Sequence, residues 1–583
     1  MLSTVTPPSG KILDDWQPLK LRAPAGHGDT FARPDLSEAV AAVKANRKTF
    51  ETDGPLELGN RSLALLRSGA RLEFLATAIR YTRQWVADCK PAALSSNSTA
   101  RLSAYAERPL IVGGHQPVFY HPGVWAKNFA ASRVARESAG TVINLVVDND
   151  ARTSVGVAVP RGNRLACTRE ELDYDDRDIS RPWEEVRVAN LEQFASFAGR
   201  AGSAMAPWGV TPLLEATWPG VVDAVRAGMP LVTAMTASRN RLERDWGLEN
   251  LEIPVSWMSR MVTFHWFTAD LLSRVPQVHT AYNTTVQRYR NVNRVRNALH
   301  PVPDLRREGE RFETPFWVWK AGETRRGRLF AEQTATGVEL TDGVRHVATL
   351  PFPENGDRCC AVAQLSLLEG LGWKIRPRAL TLTLFARVFL ADLFVHGIGG
   401  AKYDEMTDRL IPQLYGIAAP QFLVVTTTVH LPLGAFPATP ADVSRVQSQL
   451  RELDFHAEKH LSLDQTRDFE GLIAEKATLA AEQLAAEPWR RPPLTPTAPT
   501  IRSADRKVQG RTRFRRLAEI NRLLSQPLAS RREELQRELA RFQAEVRANR
   551  VLRSREFAFA LFPSDLLRPI LRSVAGLEDR VGS

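Results

Sequence analysis

Apolar residues recur at three-and-four spacing over Leu36–Phe50 and Ser62–Cys89, with Leu63, Leu65, Leu66, Leu72, Phe74, Leu75, Ile79 and Trp85 on the repeat. That spacing predicts helices, so residues 1–104 read as a mostly helical lead-in. At Pro109 the pattern changes. Leu110-Ile111-Val112 is a short apolar run ending in Gly113-Gly114, Gly123 to Glu137 has helical composition, and Thr141–Val147 is rich in β-branched residues and interrupted only by Asn144. Strand, loop, helix, strand is a βαβ unit, and strands apolar along nearly their whole length suit a parallel sheet covered on both faces. Leu251–Pro254, Val278–Ala281 and Gln421–Thr428 are further expected strands, alternating with helical stretches.

Short alternating runs at Phe312–Trp319 and Arg325–Thr349 predict a small antiparallel insertion. Thr439–Glu487 is helical in period, Pro492–Pro499 is a stiff linker, and Phe514–Leu552 reads as one long charged helix. The expected organisation is therefore a lead-in (1–104) and an α/β core (105–436) with a β-rich insertion near 312–350. A helical, coiled-coil-like hairpin (437–552) and a C-terminal segment (553–583) that returns to the core complete it.

Composition narrows the class. With 583 residues, 44% apolar and 24% charged, the chain can bury a large core without disulfides or metals. The start carries no basic segment followed by an apolar run, and the longest apolar stretch, Ala379–Val395, is broken by Arg387 and Asp392, so a soluble chain with no membrane partner is expected. Cys89, Cys167, Cys359 and Cys360 form no CxxC or Cys/His pair, which favours a reduced, cytoplasmic setting and no metal. The net charge is +12, but residues 501–583 alone hold 19 Lys+Arg against 10 Asp+Glu. The excess is thus local, and with no nucleic-acid-binding motif beside it, it counts against a nucleic-acid partner.

The densest chemistry lies in Gly113–Lys127, GGHQPVFYHPGVWAK, which leaves a predicted strand and opens a predicted helix. Backbone N–H groups at such a junction favour an anion, and Gly113, Gly114 and Gly123 allow close approach. His115, Gln116, His121 and Lys127 are the candidate side chains for it. His121-Pro122-Gly123 resembles a degenerate HxGH signature of nucleotidyltransferases and class I aminoacyl-tRNA synthetases, with Val124 at the second histidine position. The plain alternative is that these histidines satisfy backbone groups in a tight loop. Asp148-Asn149-Asp150 and Arg152 end the next strand, where carboxylates can hold an amine or sugar hydroxyl; ordinary turn residues are the alternative. His396-Gly397-Ile398-Gly399-Gly400, followed by Lys402 and Tyr403, suggests a bend suited to close ligand approach, or merely a cap and turn. Asn283, Tyr289, Arg290, Asn293, Arg296 and His300 form a candidate polar wall for a polyhydroxylated or phosphorylated ligand, or a polar helix face. Cys359-Cys360 are read as structural.

Three of these segments resemble the bacillithiol-biosynthesis cysteine-adding enzymes. Gly114-His115-Gln116 stands where that family has a TGQQ-type loop, and Asp148-Asn149-Asp150 stands near its acidic strand end. Arg376-Pro377-Arg378, Ala391-Asp392, Val395, Gly399-Gly400 and Tyr403 fall in the order of its third stretch. The resemblance, which spans about residues 105–570, implies a Rossmann-like core of the nucleotidyltransferase type with a C-terminal helical coiled-coil hairpin; that hairpin is a candidate homodimer surface, pairing either within or between chains. It implies a ligase or transferase joining an amino acid such as cysteine to a small polar sugar conjugate. His115, Gln116, His121, Asp148 and Asp150 are then catalytic. Gly113, Gly114, Gly123, Lys127, Gly399, Gly400, Lys402 and Tyr403 would hold a nucleotide, ATP or ADP. Arg152, Asn283, Asn293, Arg296 and His300 would face the small-molecule substrate. A non-catalytic scaffold of the same fold, or nucleic-acid binding through the Arg-rich C-terminal segment, are the competing readings.

Overall fold

The computed structural model describes residues 16–52, 56–86, 99–177, 179–353, 355–486 and 503–577; the expected linker Pro492–Pro499 and Cys89 lie outside them. The chain is a mixed α/β protein, with 54% of the described residues helical. It divides into two units, one of residues 1–161, 169–432 and 555–583, the other of residues 162–168 and 433–554.

A six-stranded sheet organises the first unit. Its strands are β1 (Thr30–Arg33), β2 (Leu110–His115), β3 (Thr141–Val146), β4 (Leu251–Pro254), β5 (Leu393–His396) and β6 (Phe422–Thr427). They lie in the order β1-β6-β5-β2-β3-β4, all parallel except the antiparallel edge strand β1. Counted along the chain, the five parallel strands read 3-2-1-4-5, so the order reverses between β2 and β5. Helices α1 (Leu63–Thr82), α2 (Pro122–Glu137), α3 (Leu213–Arg226), α4 (Leu231–Asp245), α5 (Val275–Val292) and α6 (Ile398–Tyr415) pack around the sheet and along its edge. One face, carrying Leu110, Val112, Ile143, Leu145, Leu251 and Ile253, joins Phe74 and Leu75 of α1 in a single apolar core. The other face is partly polar: Gly113, Asn144 and Glu252 stand side by side in register and meet α2 and α4.

The charges that interrupt the apolar stretch before β5 are buried and paired. Asp392 accepts from the Leu110 amide at 2.9 Å and pairs with Arg67 and Arg71 at 2.9 and 3.0 Å. Arg387 pairs with Asp404 at 2.6 Å. Both therefore stitch β5 to its neighbours.

The expected strand Val278–Ala281 is instead part of α5, because Val278, Tyr282, Val286 and Tyr289 bury one helical face. The expected bend at Gly397–Gly400 is the first turn of α6, with Gly397 as its N-cap. The β-rich insertion is a six-stranded antiparallel sheet that also recruits Arg307–Glu308 and Trp373–Pro377, beyond the expected boundary.

In the second unit Pro440–Phe455 packs on Ala529–Leu552 through Val446, Leu453 and Leu535, and Ala457 packs with Ile520 and Leu524. The single helix expected over Phe514–Leu552 is two, Ser503–Ser525 and Ala529–Leu552. Pro527 sits at the break, where it lacks the N–H a continuous helix needs.

Candidate active site at the carboxyl edge of the sheet

β2, β3 and β5 all deliver their following loops to one edge of the sheet, where ligands bind in open parallel sheets. After β2 the chain turns through Gln116–Tyr120 into α2. His121 is the N-cap: its Nδ1 accepts from the Gly123 amide at 3.1 Å, and Pro122 occupies the first helical position, where no N–H is required. Gly123 has to be glycine, since a Cβ there would strike the Thr427 carbonyl and the Arg555 guanidinium. Lys127, one turn on, donates from Nζ to the Gly114 carbonyl at 2.8 Å, and its stem passes Gly397, so it bridges β2 and β5 where the strand order reverses.

The imidazoles do not supply the positive charge expected of them. Burial lowers His115 to about 3, with Lys127 nearby adding to the effect, and burial lowers His121 to about 4 although Glu556 opposes it. Both are neutral near pH 7. His115 Nδ1 lies 3.1 Å from the Gln116 carbonyl, which only accepts, so Nδ1 carries the proton and Nε2 keeps a lone pair. The ring also packs edge-on against Tyr120, 4.8 Å between centroids. With so low a pKa, His115 suits accepting a hydrogen bond better than removing a proton from an ammonium, several pK units above it. Lys127 is lowered to about 8, by burial first and Arg239 second.

Beyond β3, Asp148 accepts from the Ser256 amide at 2.9 Å and from its hydroxyl at 2.5 Å, tying the ends of β3 and β4 together. Burial, with the Glu184 charge second, pushes its carboxyl up to about 7. Asp150 is the accessible carboxylate of the pair; it accepts from Gln116 Nε2 at 3.0 Å and pairs with Arg326 at 2.8 Å. The two segments flagged in the sequence thus meet, through Gln116 and Asp150.

Other candidates stand apart from that contact. Arg152 is 2% exposed and pairs with the equally buried Asp175, so it braces a loop instead of facing a substrate. Asn283 donates to and accepts from the backbone of Leu305, and Asn293 donates to the Tyr289 carbonyl; both pin the segment after α5. Arg296 and His300 are exposed, the latter with its ring 5.9 Å from that of Tyr403. Gly399, Gly400 and Lys402 are exposed in the first turn of α6, which has no side-chain cap. A Cβ at Gly400 would come within 2.8 Å of His396 Nδ1, while one at Gly399 would meet nothing. His396 Nε2 is held 2.9 Å from Asp404. The α6 start suits phosphate better than the α2 start, which Thr427, Arg555 and Glu556 already crowd.

A cavity of about 70 Å³ opens beside the first loop, against α3 and α4. Its walls include Gln116, His115, Trp218 and Phe559, and its floor includes Asn144, Arg239 and Glu252. The residues of this floor were not singled out in the sequence. The signals were there: Asn144 and Glu252 are polar positions inside otherwise apolar strands, and Arg239 and Glu243 lie four apart on α4.

Among the described residues no group of three or more His, Cys, Asp or Glu is placed to hold a metal ion, and no helix is long and apolar enough to cross a membrane. No protein-family model matches this sequence, and no curated protein is significantly similar to it.

Proposed function

We propose that the chain is a ligase or transferase of the kind the cysteine-adding family represents, joining an amino acid such as cysteine to a small polar sugar-conjugate acceptor. The finer architecture belongs to the same proposal: a Rossmann-like, nucleotidyltransferase-type core with a helical coiled-coil hairpin. The observation that carries it is the 3.0 Å contact between Gln116 and Asp150, on loops leaving adjacent strands of a sheet ordered 3-2-1-4-5. In this reading Asp150 orients the incoming ammonium and the His115 lone pair accepts from it. The uncapped α6 start, with Gly399, Gly400 and Lys402, receives the phosphates of ATP or ADP. The exposed, unbridged thiols of Cys359 and Cys360 support a reduced, cytoplasmic setting.

Purified protein is incubated with cysteine and the glucosamine–malate conjugate, with and without ATP, and products are read by mass spectrometry. The expected result is the amide adduct, with Gln116→Ala reducing its rate by about 100-fold or more. Absence of adduct under all conditions, with no thermal shift from ATP or ADP, overturns the proposal. A non-catalytic, self-associating protein is the second reading. It is favoured by Leu463 and Phe514, which are 84% and 67% exposed on the helical unit. Adduct formation separates the two: self-association that light scattering shows lost in the Phe514→Glu variant, with no adduct from either protein, supports the second reading.

A further inference from the structure

The floor of the cavity is built from buried polar groups that pair with one another and leave one acceptor over: Glu252 accepts from Asn144, Asn240 and Arg239, and Asn144 Oδ1 has no partner. Asn144 is 4% exposed and gives Nδ2 to Glu252 at 3.1 Å, which fixes its amide orientation and leaves Oδ1 with no partner. Gly113, its neighbour in register, contributes no side chain to cover that oxygen, and even a Cβ there would stop 3.9 Å short of it. Arg239 bridges Glu243 at 2.6 Å and Glu252 at 2.7 Å, so two fully buried carboxylates share one guanidinium. Behind the floor and outside the cavity lining, Glu243 collects Trp125, Asn128 and Arg239 on Oε1 alone. Lys127 points elsewhere, to the Gly114 carbonyl. The wall opposite this floor is apolar and aromatic, with Leu214, Trp218, Val221 and Phe559. A site short of donors and of positive charge, roofed by rings, is complementary to one chemistry.

We propose that this cavity binds a protonated primary amine or amidinium carried on a compact apolar body, the cationic N–H groups meeting Asn144 Oδ1 and the Glu252 side of the floor while the apolar part packs on Trp218. A void of this size holds only about five to six non-hydrogen atoms, which excludes a sugar conjugate and selects small ligands. The inference does not need the ligase reading, because binding is measured without turnover. Turnover without amine binding overturns this inference alone, and amine binding without turnover leaves the ligase reading to fall by itself.

The probes are propylammonium and butylammonium, with butan-1-ol and butyrate as neutral and anionic counterparts of the same size, titrated calorimetrically into the full chain. The ammonium probes are expected to bind about ten-fold or more tightly than butan-1-ol, and butyrate not measurably. Thr217→Trp, which fills the cavity from a half-buried position on α3, is expected to abolish binding, and Asn144→Leu to weaken it about ten-fold. No binding of any probe means a void that holds only water, and overturns the proposal. So does equal or tighter binding of butyrate, which would make Arg239 the recognition group, and so does unchanged binding in Thr217→Trp. Should Asn144→Leu fail to fold, the charge series and Thr217→Trp decide the matter alone.

Discussion

Asp148→Asn isolates the cost of ionising a carboxyl that is 3% exposed and faces Glu184. The carboxyl titrates at about 7 in the folded chain against 3.8 as an ordinary aspartate. The folded state therefore binds more protons than the unfolded state between those two values, and stability falls as pH rises through that window. At about 1.4 kcal/mol per unit, the wild type loses about 4 kcal/mol from this group alone between pH 4 and pH 8. Asparagine has no such slope. It keeps one acceptor for Ser256 and loses the other, a penalty of about 1–2 kcal/mol that does not vary with pH. The stability difference, variant minus wild type, should consequently move by about 4 kcal/mol in favour of the variant from pH 4 to pH 8. Urea unfolding followed by tryptophan fluorescence measures it, because every tryptophan except Trp489 belongs to the first unit. A difference that stays constant across this range refutes the reasoning, and Asp148 is then an ordinary ionised carboxylate.

Other expectations follow from the same geometry. Histidine proton resonances should show no titration of His115 between pH 5 and pH 8, whereas a midpoint near 6.5 would mean that the ring is solvated. Arg376 is 1% exposed and makes two-pronged contacts with both Glu184 and Glu369, so Arg376→Ala should cost about 3–5 kcal/mol in urea unfolding; a loss under 1 kcal/mol would deny it that role. Gly123→Ala should destabilise by at least about 2 kcal/mol, because its Cβ meets backbone, while Gly399→Ala, in open space inside α6, should be neutral or stabilise by up to about 1 kcal/mol. The reverse ranking, read by thermal unfolding, would place the two glycines wrongly.

The parallel sheet was legible because β2 and β3 are continuous apolar runs separated by a helical stretch. Boundaries failed where local pattern and tertiary packing compete. Val278–Ala281 is a short apolar run whose strand-like look yields to a helix once Tyr282, Val286 and Tyr289 are counted with it. The Gly397–Gly400 cluster reads as a turn by composition, yet the contact between Gly400 and His396 selects glycine within a helix. For the candidate site, the sequence pointed to loops that do meet, through Gln116 and Asp150, but not to their electrostatics. Nothing in GGHQPVFYHPG tells that burial will strip both imidazoles of charge. The cavity floor was harder still, since Arg239, Glu252 and Asn144 come from three separate elements and only pairing across the sheet unites them.

The polar row formed by Asn144 and Glu252 on neighbouring strands also governs how the sheet can assemble. Slippage of either strand by one residue would carry its polar side chain to the underside, among Leu110, Val112, Leu145 and Ile253. An uncompensated carboxylate there costs several kcal/mol, so misaligned pairings are heavily penalised. Two residues that look like blemishes in apolar strands thus act as a keying device, admitting one alignment of the central strands and rejecting its neighbours.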